Sequence, residues 1–491
     1  MNTKKFIEPY KTPWVGICYC IGIQFICGLQ GSIFYVSMWS YLTSITSQIT
    51  VGYYGWCIAA FSLAQTVASP LFGWWSEKCY SIRIPTACGL LLMCVGNLVY
   101  CMLAGMDIKY FFFFAILNRV ISGGGEGCLS VIRAYIATAC YKEDRSKAVT
   151  IGFGSYVLGL AMGPSVQLIF IPLGTNSINV FNILLNVFNA PAFLFAVICM
   201  GAIFGLYCLD FPYNPHVLET IEAKKKGQVS VNPQTQLDYF AIGVLIYIYV
   251  TQQSFASNDE VLAAPLTISL YNWTTEEAIK YNGIIFTVAA LCSVSIYLII
   301  AYEPFGKFDK RKVILVGLVL FAVHHIVNLP WGFYDGPLDF VKLKPNSTTE
   351  DLTYAGGCSR NYSWCKSTSR VPLYIYISTM ILSFGFGYPC ISSSVGTMYA
   401  NILGNRKQDI FQGILEGSGS FFRCIFPPLL TLLFDATGYK YTMLIQFTLL
   451  FISIVLVLFC WRRLISEKYD QFPSIYSPSR KLSANSSTVP T

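Results

Sequence analysis

Five charged residues stand inside long apolar runs of this chain, where a bilayer or a core tolerates charge only for a reason. Arg119, Glu126 and Arg133 follow one another at intervals of seven, and Glu416 and Arg423 repeat that interval near the C-terminus. At about 100° per residue, seven residues return to within about 20° of one helix face. A charge at the centre of a membrane helix costs about 2.5–3.5 kcal/mol on insertion scales, so such groups face one another, a partner helix or a wet cavity. The chemistry this permits is anion binding by the guanidinium fork and proton exchange at a buried carboxyl. Arg119, Glu126, Glu416 and Arg423 are therefore candidates for a solute or proton pathway. For Arg119 and Glu126 the alternative is a purely structural ion pair. Asp259 and Glu260, in the last third of another apolar run, either bind protons or mark a solvated helix end. His324 and His325 are adjacent, about 100° apart, so at most one faces a cavity, and core packing is their default reading.

Other chemistries find no footing. Gly123-Gly124-Gly125-Glu126-Gly127 has neither a preceding strand nor a following Gly-Lys-Ser/Thr, so it reads as close helix packing rather than a phosphate loop. No metal-ligand spacing, nucleophile elbow or kinase signature occurs, which predicts no catalytic residue, no metal, no cofactor and no enzyme. Basic residues are dispersed rather than interleaved with aromatics, which argues against nucleic acid as a partner.

The elements that must position these charges are membrane spans. Of 491 residues, 54% are hydrophobic and 12% charged, against roughly 25% charged in soluble domains. That excludes a cytosolic enzyme, a disulfide scaffold and a disordered chain. Apolar runs predict helices near 14–43, 51–75, 84–104, 110–134, 148–172 and 188–209, then near 238–270, 282–303, 312–332, 371–400, 410–434 and 442–461. This divides the chain into a six-helix half (1–209), a polar central loop (210–237), a second six-helix half (238–461) holding a long loop (333–370), and a tail (462–491). Most Lys and Arg fall on the side of the termini, including Lys224, Lys225 and Lys226. The positive-inside bias therefore predicts both termini in the cytoplasm. The first run is too long for a signal h-region and reads as an uncleaved span.

Most of the 18 Cys lie in helices, as small hydrophobes do. Cys358 and Cys365 sit in loop 333–370, and a disulfide between them is expected. Sequons at Asn272, Asn346 and Asn361 share the non-cytoplasmic side, consistent with an oxidising, glycosylating lumen. Asn485 lies in the cytoplasmic tail and is expected to stay unmodified. Tyr469-Asp470-Gln471-Phe472 has the form of a tyrosine sorting signal, so Tyr469 and Phe472 are candidates for binding sorting adaptors.

The two halves show internal symmetry: Gly154-Ser155 precedes Pro164 by ten positions, and Gly417-Ser418 precedes Pro427 by ten. Gly73-Trp74-Trp75-Ser76-Glu77-Lys78 with Arg83, Arg119 followed by the Gly-rich stretch, and Gly159-x3-Gly163-Pro164 together resemble the signatures of the major facilitator superfamily. Glu77 and Tyr80 depart from that pattern. The resemblance implies an all-α, twelve-helix bundle of two pseudo-symmetric halves with alternating access between them. Gly73, Glu77, Lys78, Arg83, Arg133, Gly159, Gly163 and Pro164 then become gating candidates, with Arg133 at the cytoplasmic edge expected to lock to Glu77. The stretches Pro265-Leu266-Thr267, Tyr281-Asn282-Gly283, Leu329-Pro330-Trp331-Gly332 and Gly387-Tyr388-Pro389 resemble a lysosomal branch of that superfamily. What this implies is a multi-pass transporter of the lysosomal or endosomal membrane; the buried charges add the expectation of a small, anionic solute drawn by Arg119 and Arg423, with the proton carried by Glu126, Glu260 or Glu416. A channel-like anion conductance and a non-transporting receptor or scaffold are the alternatives.

Overall fold

The computed structural model describes residues 11–34, 37–46, 48, 51–174, 178–180, 183–212, 217, 218, 222, 237–302, 308–344, 350–352, 354–404 and 406–464. Lys224 to Lys226, Asn346, Tyr469, Phe472 and Asn485 lie outside the described residues, as do the side chains of Pro164 and Glu260 within their helices.

In the first half, span 1 is Trp14–Ser32, continued after a turn by Met38–Ile45; span 2 is Val51–Cys79; span 3 is Arg83–Met102; span 4 is Ile108–Glu126 and then Leu129–Ala139; span 5 is Lys142–Ile169; span 6 is Ala190–Cys208. A short antiparallel pair, Ile178–Val180 with Ile183–Leu185, fills the connection between spans 5 and 6. In the second half, span 7 is Tyr239–Tyr271, span 8 Thr275–Ala301 and span 9 Lys310–Val327. Span 10 is Leu373–Ile381, a π-helical turn over Leu382–Gly387, and Tyr388–Leu403. Span 11 is Asp409–Thr437 and span 12 Tyr439–Phe459.

Nine of these helices are long and apolar enough to cross a membrane, among the described residues. The other three are spans 4, 5 and 9. Span 4 is broken after Glu126, span 5 opens with Lys142, Glu143, Asp144 and Arg145, and span 9 opens with Lys310, Arg311 and Lys312.

Several of the predicted bounds needed correction, among them the start of span 5, which is Lys142 rather than 148. The run 14–43 is two helices rather than one. The run 110–134 breaks at Gly127 and extends to Ala139, because a Gly-rich stretch lowers helix propensity while flanking spans hold both pieces. Span 8 begins at Thr275 instead of 282, where Thr274 and Glu277 form a reciprocal capping box.

Within the first half, span 1 packs along span 5, span 2 along span 4, and span 3 along spans 4 and 6. Within the second half, span 7 packs on span 11, and span 9 on spans 10 and 12. The halves meet where span 2 lies along span 11 and span 5 along span 8. Glycines set that approach: a Cβ on Gly73 would stand 2.3 Å from the Asp409 carbonyl oxygen, and one on Gly413 2.6 Å from that of Ser69. Only backbone against backbone fits there.

The loop between spans 9 and 10 folds onto its own half. Cys358 and Cys365 are disulfide-bonded, and both belong to an apolar cluster with Leu262, Leu266, Trp364 and Phe434. Gly357 N–H donates to the Ile268 carbonyl (3.1 Å), and the Tyr439 hydroxyl donates to that of Ser369 (2.6 Å). The Trp364 ring covers Gly438, whose φ of +75° and a Cβ position 2.7 Å from that ring both require glycine. Asn272 and Asn361 are exposed at this same end.

Candidate functional site

Spans 4 and 11 run in opposite directions and carry their seven-residue charge pairs in the same sequence order, Glu126 then Arg133 and Glu416 then Arg423, so Arg133 comes level with Glu416 and Arg423 with Glu126. Arg133 forms an ion pair with Glu416, the two side chains 6% and 2% exposed. The Tyr249 hydroxyl of span 7 donates to Glu416 Oε1 at 2.9 Å. Arg133 also donates to the Tyr249 hydroxyl (3.3 Å) and to Gln24 Oε1 on span 1 (3.3 Å). Its guanidinium lies 4.2 Å from the Phe153 ring centroid. One rung up, Glu126 Oε1 accepts from the Tyr156 hydroxyl at 3.1 Å, within electrostatic reach of Arg423. Arg423 donates to Gln65 Oε1 (3.0 Å) and to Ser420 Oγ (3.1 Å).

The result is a ladder of two rungs, Arg133 with Glu416 and Arg423 facing Glu126, crossing from one half to the other. The rungs are separated by seven residues of each helix, about 10 Å. Arg133 and Glu416, each costly alone in a membrane, are matched across the interface, and Arg423 stands within electrostatic reach of Glu126 without a direct bond among the described residues.

Two expectations about these residues needed revision. Arg133 was expected at the cytoplasmic edge, locked to Glu77. Instead span 4 continues for six residues beyond it, about 9 Å of helix, so Arg133 is buried and its carboxylate partner is Glu416. Arg119 was expected to pair with Glu126 along one face. The hydrogen bond to Glu126 comes from Tyr156, and the Arg119 guanidinium sits between aromatic faces, 4.5 Å from the Phe61 centroid and 5.0 Å from Phe34.

The motif after span 2 does fasten the halves, through span 11. Ser76 Oγ donates to Asp409 Oδ1 at 2.6 Å, and Lys407 Nζ donates to the Ser76 carbonyl at 2.7 Å. Glu77 Oε1 accepts from Ile410 N–H at 3.5 Å, placing a carboxylate at the N-terminus of span 11, where the helix dipole favours it. Arg83 reaches the Leu209 carbonyl (2.6 Å) and Asp210 (3.0 Å), tying span 3 to the end of span 6. Lys78 lies over the Trp74 ring. Arg145 adds a cross-half bond to Asn401 (3.2 Å). All of these inter-half contacts lie at the end of the bundle that carries both termini.

The remaining gating candidates serve packing within the first half. A Cβ on Gly159 would stand 2.3 Å from the Phe25 carbonyl, and one on Gly163 would overlap Ser32. The Gly-rich segment is likewise a packing surface, Gly123 against Phe61 of span 2 and Gly125 against Gly89 of span 3.

Asp259 belongs to a different place. It lines a small cavity inside the second half with Tyr376, His324, Thr442 and Gln446, away from the ladder. The residues sequence reasoning missed are Tyr249, Tyr156, Gln24, Gln65, Asp409 and Lys407. The only signal available was polar side chains on otherwise apolar spans, which is how Gln24 and Gln65 stand out.

Comparisons with known proteins agree with this architecture. A family model described as Major Facilitator Superfamily matches residues 20–338. The chain is 27% identical over 490 residues to Major facilitator superfamily domain-containing protein 8 of Xenopus laevis, covering 94% of each. It is 26% identical over 110 residues to Multidrug resistance protein 2 of Bacillus subtilis (strain 168), covering 22% of this chain and 26% of that one. Among solved structures it resembles the human organic anion transporter MFSD10 (TM-score 0.60, 15% identity, 91% of this chain and 99% of that one). It also resembles the proton:xylose symporter XylE (TM-score 0.66, 13% identity, 92% and 96%).

Proposed function

Because the chain belongs to the Major Facilitator Superfamily, we propose that it is a secondary transporter moving a small anionic solute, coupled to protons, by rocking its two halves about the span 4–span 11 ladder. The observation that carries this reading is the ladder itself. Its partners sit on opposite halves, and the Ser76–Asp409, Lys407–Ser76 and Arg145–Asn401 bonds join the halves at the end that carries the termini. Opening that end must separate Ser76 from Asp409 and Arg133 from Glu416, which is the alternation such a carrier needs.

Three guanidinia (Arg119, Arg133, Arg423) and two carboxylates (Glu126, Glu416) line spans 4 and 11. A carboxylate- or phosphate-bearing solute is what that field attracts. Glu126 is the proton carrier: its Oε2 has no hydrogen-bond partner among the described residues, and neutralising it would release Arg423 to the solute. The solved relatives with this fold include an organic anion transporter and a proton symporter. The distribution of Lys and Arg and the exposed sequons at Asn272 and Asn361 support a cytoplasmic position for both termini. We place the protein in lysosomal or endosomal membranes, on the sequence resemblance and the tail motif Tyr469 to Phe472.

Proteoliposomes test this. Saturable counterflow of a labelled organic anion, driven by an inward proton gradient, is expected, and Glu126→Gln should transport without responding to the gradient. Large unitary currents would establish a channel instead, and silence in both assays a receptor or scaffold.

A further inference from the structure

The cavity around Asp259 lies wholly within the second half, bounded by spans 7, 9, 10, 11 and 12. Its residues Leu262, Met380, Phe434 and Met443 share one apolar cluster with Cys358 and Trp364 of the loop above. Two polar atoms in this apolar chamber are unusual. Asp259 is 7% exposed, and its Oδ2 has no hydrogen-bond partner among the described residues. Gln446 is 1% exposed, and one atom of its amide is likewise unpartnered. Among the described residues, no lysine or arginine lines the chamber.

The identity of that Gln446 atom follows from its neighbour. His325 is buried, with Phe255 and Phe321 packed around it, so its imidazole is neutral. Its Nδ1 stands 2.8 Å from the Phe321 carbonyl oxygen. A carbonyl only accepts, so Nδ1 carries the proton and Nε2 offers a lone pair. The Gln446 amide atom 2.6 Å from Nε2 must then be the donating NH2. The oxygen therefore takes the other place, the unpartnered one, since the two ends of an amide are assigned by their hydrogen bonds.

Read in this way, the chamber presents the Asp259 carboxylate, the Gln446 carbonyl oxygen and the hydroxyls of Thr442 and Tyr376. We propose that it is a binding site for a monovalent alkali cation of sodium's size. Hard cations take oxygen ligands, and one carboxylate matches one positive charge. A divalent ion would want a second carboxylate, an anion is repelled by Asp259, and an organic ammonium exceeds the space. The bound ion supplies the counter-charge that a buried carboxylate in a membrane otherwise lacks. It also ties span 7 to spans 10 and 12, so its occupancy sets how firmly the second half holds together. The site is independent of which solute the central ladder carries.

The test uses the full-length protein purified in detergent, with its melting midpoint followed while sodium chloride replaces N-methylglucamine chloride at constant ionic strength. The midpoint is expected to rise saturably with sodium and less with potassium, since an ion that binds only the folded state stabilises it by mass action. Asp259→Asn should abolish the rise. Thr442→Val and Tyr376→Phe, each removing one oxygen, should move half-saturation upward roughly tenfold; they carry the test if Asp259→Asn does not fold. Equal midpoints in the two salts would overturn the proposal, as would an Asp259→Asn variant that keeps the sodium response. A midpoint that depends on pH through Asp259 but not on sodium would also overturn it, by showing a proton site.

Discussion

Removing one end of the lower rung tests the reasoning about the ladder most directly. Arg133 and Glu416 are 6% and 2% exposed, so neither charge recovers water when its partner goes. Breaking such a pair costs about 3–5 kcal/mol, mostly because the survivor stays buried and unmatched. In Glu416→Gln the amide oxygen can still accept one hydrogen bond, and Tyr249 and Gln24 remain beside Arg133. The lower end, about 3 kcal/mol, is therefore expected, and Arg133→Gln should cost a similar amount. The double variant leaves no uncompensated charge. It should lose only about the net worth of the hydrogen bonds, some 1–3 kcal/mol. Additive losses would give about 6 kcal/mol, so the expected coupling is about 3–5 kcal/mol.

Unfolding in mixed detergent micelles measures these differences, and proteoliposome transport reports their effect on the cycle. Because the rung joins the halves, the single variants should also favour the state in which the end bearing the termini is open. They would lower transport. If the double variant matches the sum of the singles within about 0.5 kcal/mol, the two residues do not act as a pair and the ladder has no energetic meaning.

Four further outcomes follow. Gly413→Leu should prevent closure of span 2 on span 11 and abolish transport, since even a Cβ there would stand 2.6 Å from the Ser69 carbonyl; Gly283→Ala, with nothing within 4 Å, should be silent in the same uptake assay. Cys358→Ser should lower the melting midpoint by an amount equivalent to about 2–3 kcal/mol, from the entropy of a loop with a sequence separation of 7. Glycosidase should shift the gel mobility of the wild type but not of an Asn272/Asn346/Asn361 triple Gln variant, and a glycan at Asn485 would reverse the orientation. The Asp339 carboxyl is held below its ordinary range by hydrogen bonds from Arg370 and Asn272. Its contribution to seating the loop is present above the normal carboxylate range and lost only as pH falls through the depressed value. Protease susceptibility of the loop should therefore be unchanged between pH 7 and pH 5 in the wild type.

The twelve-helix layout was legible because hydropathy over about 20 residues reports a solvent, and solvent decides whether backbone groups are satisfied internally. Helix ends were less legible, for local reasons. Thr274 and Glu277 spell a capping box in the sequence, but the polar residues that follow lowered the hydropathy until 282. The break of span 4 was written in Gly123 to Gly127, yet glycines that pack and glycines that interrupt look alike until their neighbours are known. Gly123 and Gly125 pack while remaining helical, and the interruption falls two residues later.

The ladder marks the limit of what spacing alone conveys. Intervals of seven on spans 4 and 11 correctly put the charges on single faces, but a face has no partner until the halves are docked. Sequence proximity favoured Arg119 with Glu126 and motif logic favoured Arg133 with Glu77, each a choice within one half. The decisive information was relative: two antiparallel helices with the same charge interval and the same order of sign bring an arginine level with a glutamate at both rungs, whereas a parallel arrangement would oppose arginine to glutamate only after a shift of register. Equal intervals with equal sign order, on the antiparallel spans 4 and 11 of a duplicated bundle, thus constitute a pairing rule that could be read from sequence once the direction of each span is known. Tyr249 and Tyr156 show why the rule is still incomplete. Each hydroxyl is bonded to one carboxylate of the ladder, and each comes from a third helix whose distance from the rung no spacing along spans 4 and 11 encodes.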